Sequence, residues 1–350
     1  MVLPGLAIHP PAVTVTEVDD PTVAGCGIEV LDLDAVQLES VPLRVRRIVV
    51  RLDGATVVYQ SANARVRTRT TIGKGLAACV VTGPHARGTV NGWAVAPGMM
   101  LVAGPGAEAS VFAEAGWESV TFLVRASAVR ECLVASRGAG VSRLMRGVEA
   151  LQVDAARARA LYAWGRRLAE AAAREPAGFD AGGRQRQAAQ AQLLGHLLAA
   201  LGETGEFEPT RGERTRLAHS RIVRAAEDHV LARVQDRVQV ADLCRAASVS
   251  ERTLEYAFKD LTGLTPVGYL TRLRLHRVRR ALLAASGAQG TVAAEALNWG
   301  FWHFGEFART YRKCFGELPS DTLRRAHGAV PPRHSGRSLA PLALQRTSNA

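Results

Sequence analysis

Two clusters of side chains near the C-terminus have the types and spacing needed to read hydrogen-bonding edges. The first is Arg252, Glu255, Tyr256 and Lys259, within SERTLEYAFKDL. On a 100° wheel these four lie opposite Leu254, Ala257, Phe258 and Leu261, so one helix presents an apolar face inward and a polar face outward. That outer face carries a bidentate donor, a carboxylate acceptor, a phenol and an ammonium, a set suited to base edges and phosphates. Ser250, just before it, is a good N-cap, and Glu251 suits the first turn. In the second cluster Gly305, Arg309 and Arg312 face outward while Phe307, Tyr311 and Cys314 face inward, on a helix predicted from about His303 to Phe315.

Each helix needs a scaffold. Val240 to Ala247 reads as a short helix, Ser248-Val249-Ser250 as a tight turn, and the helix after it as the second arm of a helix-turn-helix. A single match is weak evidence, but this one repeats. Leu254, Phe258, Gly263 and Pro266 recur fifty-three positions later as Phe307, Tyr311, Gly316 and Pro319. Thr291 to Asn298 and Gly300-Phe301 supply the second short helix and turn. Each Gly is a natural helix stop, and each Pro suits the start of the next helix. Between the units, Val267 to Ala284 is long enough for one connecting helix, and it carries Arg272, Arg274, Arg277, Arg279 and Arg280. Trp299, Phe301 and Trp302 flank the second turn and read as packing groups.

The segments VADLCRAASVSERTLEYAFKDLTGLTPVGYLTRLRLHRVRRALL and TVAAEALNWGFWHFGEFARTYRKCFGELPSDTLRR resemble the DNA-binding domain of the AraC/XylS family of bacterial transcription regulators. The resemblance spans about Ser220 to Arg325. It implies base reading from Arg252, Glu255 and Tyr256 in the first unit and from Phe304, Gly305 and Arg309 in the second. Lys259, Arg312 and Lys313 would then face phosphate. It further implies double-stranded promoter DNA and RNA polymerase as partners, activation of transcription, a homodimer, and an unknown small-molecule effector. Gly305 and Tyr256 depart from the family's usual longer polar side chains. A Gly there has no side chain with which to read a base.

The charge supports this reading. The 350 residues carry a net +12, unevenly placed: residues 1–210 hold 21 Lys and Arg against 20 Asp and Glu, residues 211–330 hold 20 against 12. A basic final third suits a modular protein that meets a polyanion. A non-specific nucleoid protein would share the charge but would not need two separate reading helices.

The rest of the chain reads as an α+β protein whose first domain is β-rich. Short Val- and Ile-rich runs between Val41 and Val124, with Asp53-Gly54 as a hairpin turn, predict an antiparallel sandwich or barrel, and the family resemblance implies a cupin-like β-barrel over residues 1–148. Residues 149–203 predict two amphipathic helices, with Leu193, Leu194, Leu197, Leu198 and Leu201 on one of them, either covering the barrel or dimerising. Residues 204–219 read as a linker, 220–327 as the all-α DNA-binding domain with its two helix-turn-helix units, and 328–350 as a disordered tail.

Enzymatic activity is not expected. A cupin-type metal site needs several converging histidines, and His85 stands alone between Val41 and Val124. No GxSxG, P-loop or GxGxxG motif is present, and no cofactor or metal is expected. No run of about 18 apolar residues suggests a membrane span. Five widely spaced cysteines and an acidic N-terminal stretch at Glu17, Asp19 and Asp20 point to the cytoplasm.

Overall fold

A computed structural model describes residues 10–23, 25, 28, 31–137, 147–201, 205–206, 208–233, 238–285 and 291–326. The tail expected to be disordered, 328–350, lies outside the described residues. Among those described, no helix is long and apolar enough to cross a membrane.

The N-terminal half holds two antiparallel sheets. The larger runs β1 (Val13–Val18), β3 (Val45–Arg51), β4 (Ala55–Ala62), β11 (Trp117–Arg125), β6 (Leu76–Thr82), β9 (Met99–Ala103), β12 (Val148–Gln152) and β13 (Gly205–Glu206) in spatial order. The smaller runs β2 (Leu31–Gln37), β5 (Val66–Ile72), β10 (Glu108–Ala113), β7 (Gly88–Val90) and β8 (Trp93–Ala94). Asp53-Gly54 makes the expected hairpin, with Arg51 opposite Thr56. The expected closed barrel is corrected: among the described residues no strand ladder joins the two sheets. Instead they face one another across an apolar cavity of about 140 Å³, lined by residues such as Leu33, Val58, Leu101 and Val111.

The far side of the large sheet is covered by α2 (Ala155–Arg174) and α3 (Arg184–Leu201). Asp154 caps α2 by accepting the Arg157 N–H at 3.0 Å. Trp164 stacks on Phe122 with ring centres 6.1 Å apart and donates Nε1–H to Gln192 Oε1 at 2.9 Å. Leu193, Leu197 and Leu201 are buried, whereas Leu194 and Leu198 of the same helix are exposed. The far side of the small sheet is covered by the C-terminal helices. Val36, Leu38 and Phe112 share one core with Val223, Ala226 and Leu254. The molecule is thus layered as helices, sheet, cavity, sheet, helices. A short helix, α1 (Ala126–Arg137), follows β11.

The linker expected at 204–219 is also corrected. β13 pairs with β12, and α4 (Arg211–Ala232) begins only five residues after it. Thr210 and Glu213 form a reciprocal capping box: Glu213 accepts the Thr210 N–H at 2.8 Å, and the Thr210 hydroxyl accepts the Glu213 N–H at 3.3 Å.

Gly165 tests the packing of α2 on the sheet. A Cβ there would stand 2.6 Å from Val120 Cγ1 and 3.0 Å from Phe122 Cζ. In an open helix, Gly→Ala stabilises by about 1 kcal/mol. Here the clash dominates, and Gly165→Ala is expected to destabilise by about 1–3 kcal/mol, read as a lower urea midpoint.

Candidate DNA-reading surface

The C-terminal domain comprises α4, α5 (Val240–Ala247), α6 (Glu251–Thr262), α7 (Pro266–Ala284), α8 (Val292–Asn298), α9 (Phe304–Phe315) and α10 (Pro319–Ala326). α5 and α6 meet at a turn in which Ser248 takes the left-handed conformation, φ 55°. Ser250 caps α6 as expected, accepting the Thr253 N–H at 3.3 Å. Leu254, Ala257, Phe258 and Leu261 are buried. In the second unit Thr291 caps α8, accepting the Ala294 N–H at 3.1 Å, and Gly300 turns the chain at φ 76°. Phe307, Tyr311 and Cys314 are buried. α6 and α9 end alike, on Gly263 at φ 69° and Gly316 at φ 77°, the left-handed cap that glycine adopts without a Cβ clash. The sequence repeat is therefore a structural one.

Every side chain expected to read or grip DNA is outside. Arg252, Glu255, Tyr256 and Lys259 are exposed on α6, and Phe304, Gly305, Arg309, Arg312 and Lys313 on α9. The Arg252 guanidinium lies 5.4 Å over the Tyr256 ring and donates to its hydroxyl at 3.3 Å, so the two side chains are held as a pair. Trp299 and Phe301 pack against the second unit's core, as expected, but Trp302 is exposed.

α7 is where sequence reasoning falls short. Its arginines look like a basic surface, but four of them, Arg272, Arg277, Arg279 and Arg280, reach polar groups of the N-terminal half. Arg277 and Arg280 pair with Asp34 at 2.8 and 2.7 Å. Arg279 bridges Asp20 and Glu317, both at 2.7 Å, with its guanidinium 4.6 Å over Phe315. Arg272 donates to Ser40 Oγ at 2.9 Å. At the centre, Glu227 of α4 is fully buried between Arg67 of β5 and the Tyr269 hydroxyl of α7. Asp34 also approaches Arg67, at 3.3 Å. Burial alone would lower the Arg67 pKa; Tyr269, Glu227 and Asp34 outweigh it and hold the guanidinium above its ordinary value. Burial, reinforced by Glu227, raises the Tyr269 phenol well above its own. The signal for these contacts was the alternation of Arg67 and Arg69 in β5, charges two residues apart and so on one strand face.

Residues 243–325 match the family model described as a helix-turn-helix domain. Over 103 residues the chain is 40% identical to a probable thc operon regulatory protein of Rhodococcus erythropolis, covering 29% of this chain and 31% of that one. Over 105 residues it is 37% identical to XylDLEGF operon transcriptional activator 3 of Pseudomonas putida, covering 30% of each. The chain thus spans about a third of the length of these curated relatives. Among solved structures, a transcriptional regulator from Chromobacterium violaceum with an AraC-type DNA-binding domain is 27% identical over 30% of this chain and 91% of that one, with a TM-score of 0.28. The AraC-like transcriptional activator CuxR is 12% identical over 82% of this chain and 99% of that one, with a TM-score of 0.33. The C-terminal domain is a double helix-turn-helix module. The relatives matched to it are named as an operon regulatory protein and an operon transcriptional activator.

The contact between the two halves also sets a pH dependence. His276 of α7 is buried, and its Nε2 accepts the main-chain N–H of Gln37 at 3.1 Å. Burial pushes its pKa down to about 3, with Arg279 and Arg272 adding to the effect and Asp20 opposing it. The unfolded imidazole takes up a proton near pH ~6.5, so between these values only the unfolded chain binds it. Stability from this group is full above about pH 6.5 and falls as pH drops toward 3, by up to about 1.4 kcal/mol per unit. Denaturation at pH 7.5 and 5.5 should give a smaller pH dependence for His276→Gln than for the parent chain.

Proposed function

We propose that the chain is a sequence-specific DNA-binding transcription regulator of the AraC/XylS type. The observation that carries this reading is the pairing of two equivalent helix-turn-helix units on one connecting helix, each with a buried inner face and an exposed polar outer face. Arg252 and Arg309 read guanine, Glu255 accepts from a cytosine amino group, and Lys259, Arg312 and Lys313 hold phosphates. Tyr256 braces Arg252 over its base. The two units read major-groove segments about 34 Å apart on one face of the duplex.

The P. putida relative is named as an operon activator, which favours activation and RNA polymerase as a partner. The cavity between the sheets, with Gln60, Thr70 and Ser119 among apolar neighbours, suits a small-molecule effector. The exposed Leu194 and Leu198, one turn apart on α3, suit a homodimer contact. The protein acts in the cytoplasm, where its DNA is. A packaging protein is the alternative, and it would coat promoter DNA evenly, whereas the proposed regulator protects discrete sites.

Arg309→Ala should weaken binding to the selected site and flatten preference at one or two base pairs, by about 1–3 kcal/mol, while leaving random DNA almost unaffected. Arg312→Ala should weaken both alike. For the parent chain the slope of log affinity against log salt should lie at about −4 to −8, and Arg312→Ala should shrink it by about one unit. Randomised-site selection and salt titration check both. Replacing Leu194 and Leu198 with Glu should yield a monomer in sedimentation with the helical signal retained; a dimer unchanged by both substitutions would place the interface elsewhere.

A further inference from the structure

Five aromatic residues lie between Trp299 and Phe307, and the structure divides them. Phe307 is buried, Trp299 and Phe301 pack on it, and the Phe301 and Phe307 rings are 5.0 Å apart. Trp302 and Phe304 belong to no core cluster and are 57% and 45% exposed. A lone exposed aromatic is unremarkable. Here, however, two stand within three residues at the leading end of the second reading helix. Phe304 is the first residue of α9, and in a helix-turn-helix the N-terminal residues of the second helix are the ones that contact base edges. The next residue is Gly305, whose missing Cβ leaves open space on the exposed helix surface next to Phe304 in the chain.

Neither Phe304 nor Gly305 has a hydrogen-bonding side chain, so this tip cannot read the donor and acceptor pattern through them. The apolar landmark among the base edges of the major groove is the thymine C5-methyl. Arg309, Arg312 and Lys313 on the same helix supply the positive charge that brings the helix to the phosphates. We propose that Phe304 is a specificity-determining residue that reads a thymine methyl, with no side chain at Gly305 to hold the base edge away from the ring. This rests on the DNA-reading function proposed above. It makes the second unit a reader of thymine at its tip and of guanine five residues further on, through Arg309.

The test alters the DNA and the protein in turn. A duplex carrying a site recovered by randomised selection is prepared with each dT replaced singly by dU, which removes only the methyl group. Full-length protein and the Phe304→Ser variant are titrated against each duplex; the side chain is already solvent-exposed, and circular dichroism verifies that the variant folds. At one or two thymines in the segment assigned to α9, dU should weaken the parent's binding about fourfold, the effect of losing one buried methyl group. Phe304→Ser should bind the dT and dU duplexes equally at those positions. A discrete site that tolerates every dT-to-dU exchange overturns the methyl readout while leaving the regulator function standing. So does a dU penalty that persists undiminished in Phe304→Ser. If selection yields no discrete site, the regulator function fails and this inference fails with it.

Discussion

Glu227 is the point on which the two halves of the molecule depend. It sits on α4, fully buried, against a buried guanidinium from the small sheet and a buried phenol from α7. A charge in that position is tolerated only because its partners are fixed and equally buried. Removing one partner of such a pair strands the other, at a cost of about 3–5 kcal/mol. The contact therefore specifies one docking of the reading domain on the sheet, and α7 is placed by it. The reading helices pack on either side of α7, so their positions follow from the same contact.

The pairing of α7's arginines also changes what the basic charge means. The net positive count of the final third includes Arg277, Arg279 and Arg280, which are engaged with Asp34, Asp20 and Glu317. Burial works against the Asp20 carboxylate, yet Arg279 and Thr22 hold its pKa below the ordinary value. Part of the apparent polyanion footprint is thus internal glue. Lys259 of α6 and Arg309, Arg312 and Lys313 of α9 stay exposed, apart from that docking surface.

The reading units were legible in the sequence because caps, apolar spacing and the fifty-three-residue repeat all agree. Ser250, Gly263 and Gly316 do in the structure what their residue types suggest. Other elements were hidden by the contacts they make. β2 reads LDLDAVQ and lies before Val41, where the expected strands begin; its Asp34 is met by Arg67, Arg277 and Arg280 from outside the strand. The charged stretch before α4 looks like a linker, although Thr210 and Glu213 spell a helix start. Strand spacing leaves sandwich and barrel open, because it does not say whether the first and last strands meet.

Gly305 has a consequence for altering the protein deliberately. The space around its missing Cβ is empty, and its backbone is helical, without a positive φ. A side chain introduced there meets no resistance from the fold and gains helix propensity over glycine, worth about 0.5–1 kcal/mol. Few surface positions combine such tolerance with a place on a helix proposed to read DNA. The same vacancy that simplifies the native reading makes position 305 a socket for retargeting: Asn, Gln or Arg inserted there adds a hydrogen-bonding arm without rebuilding its support.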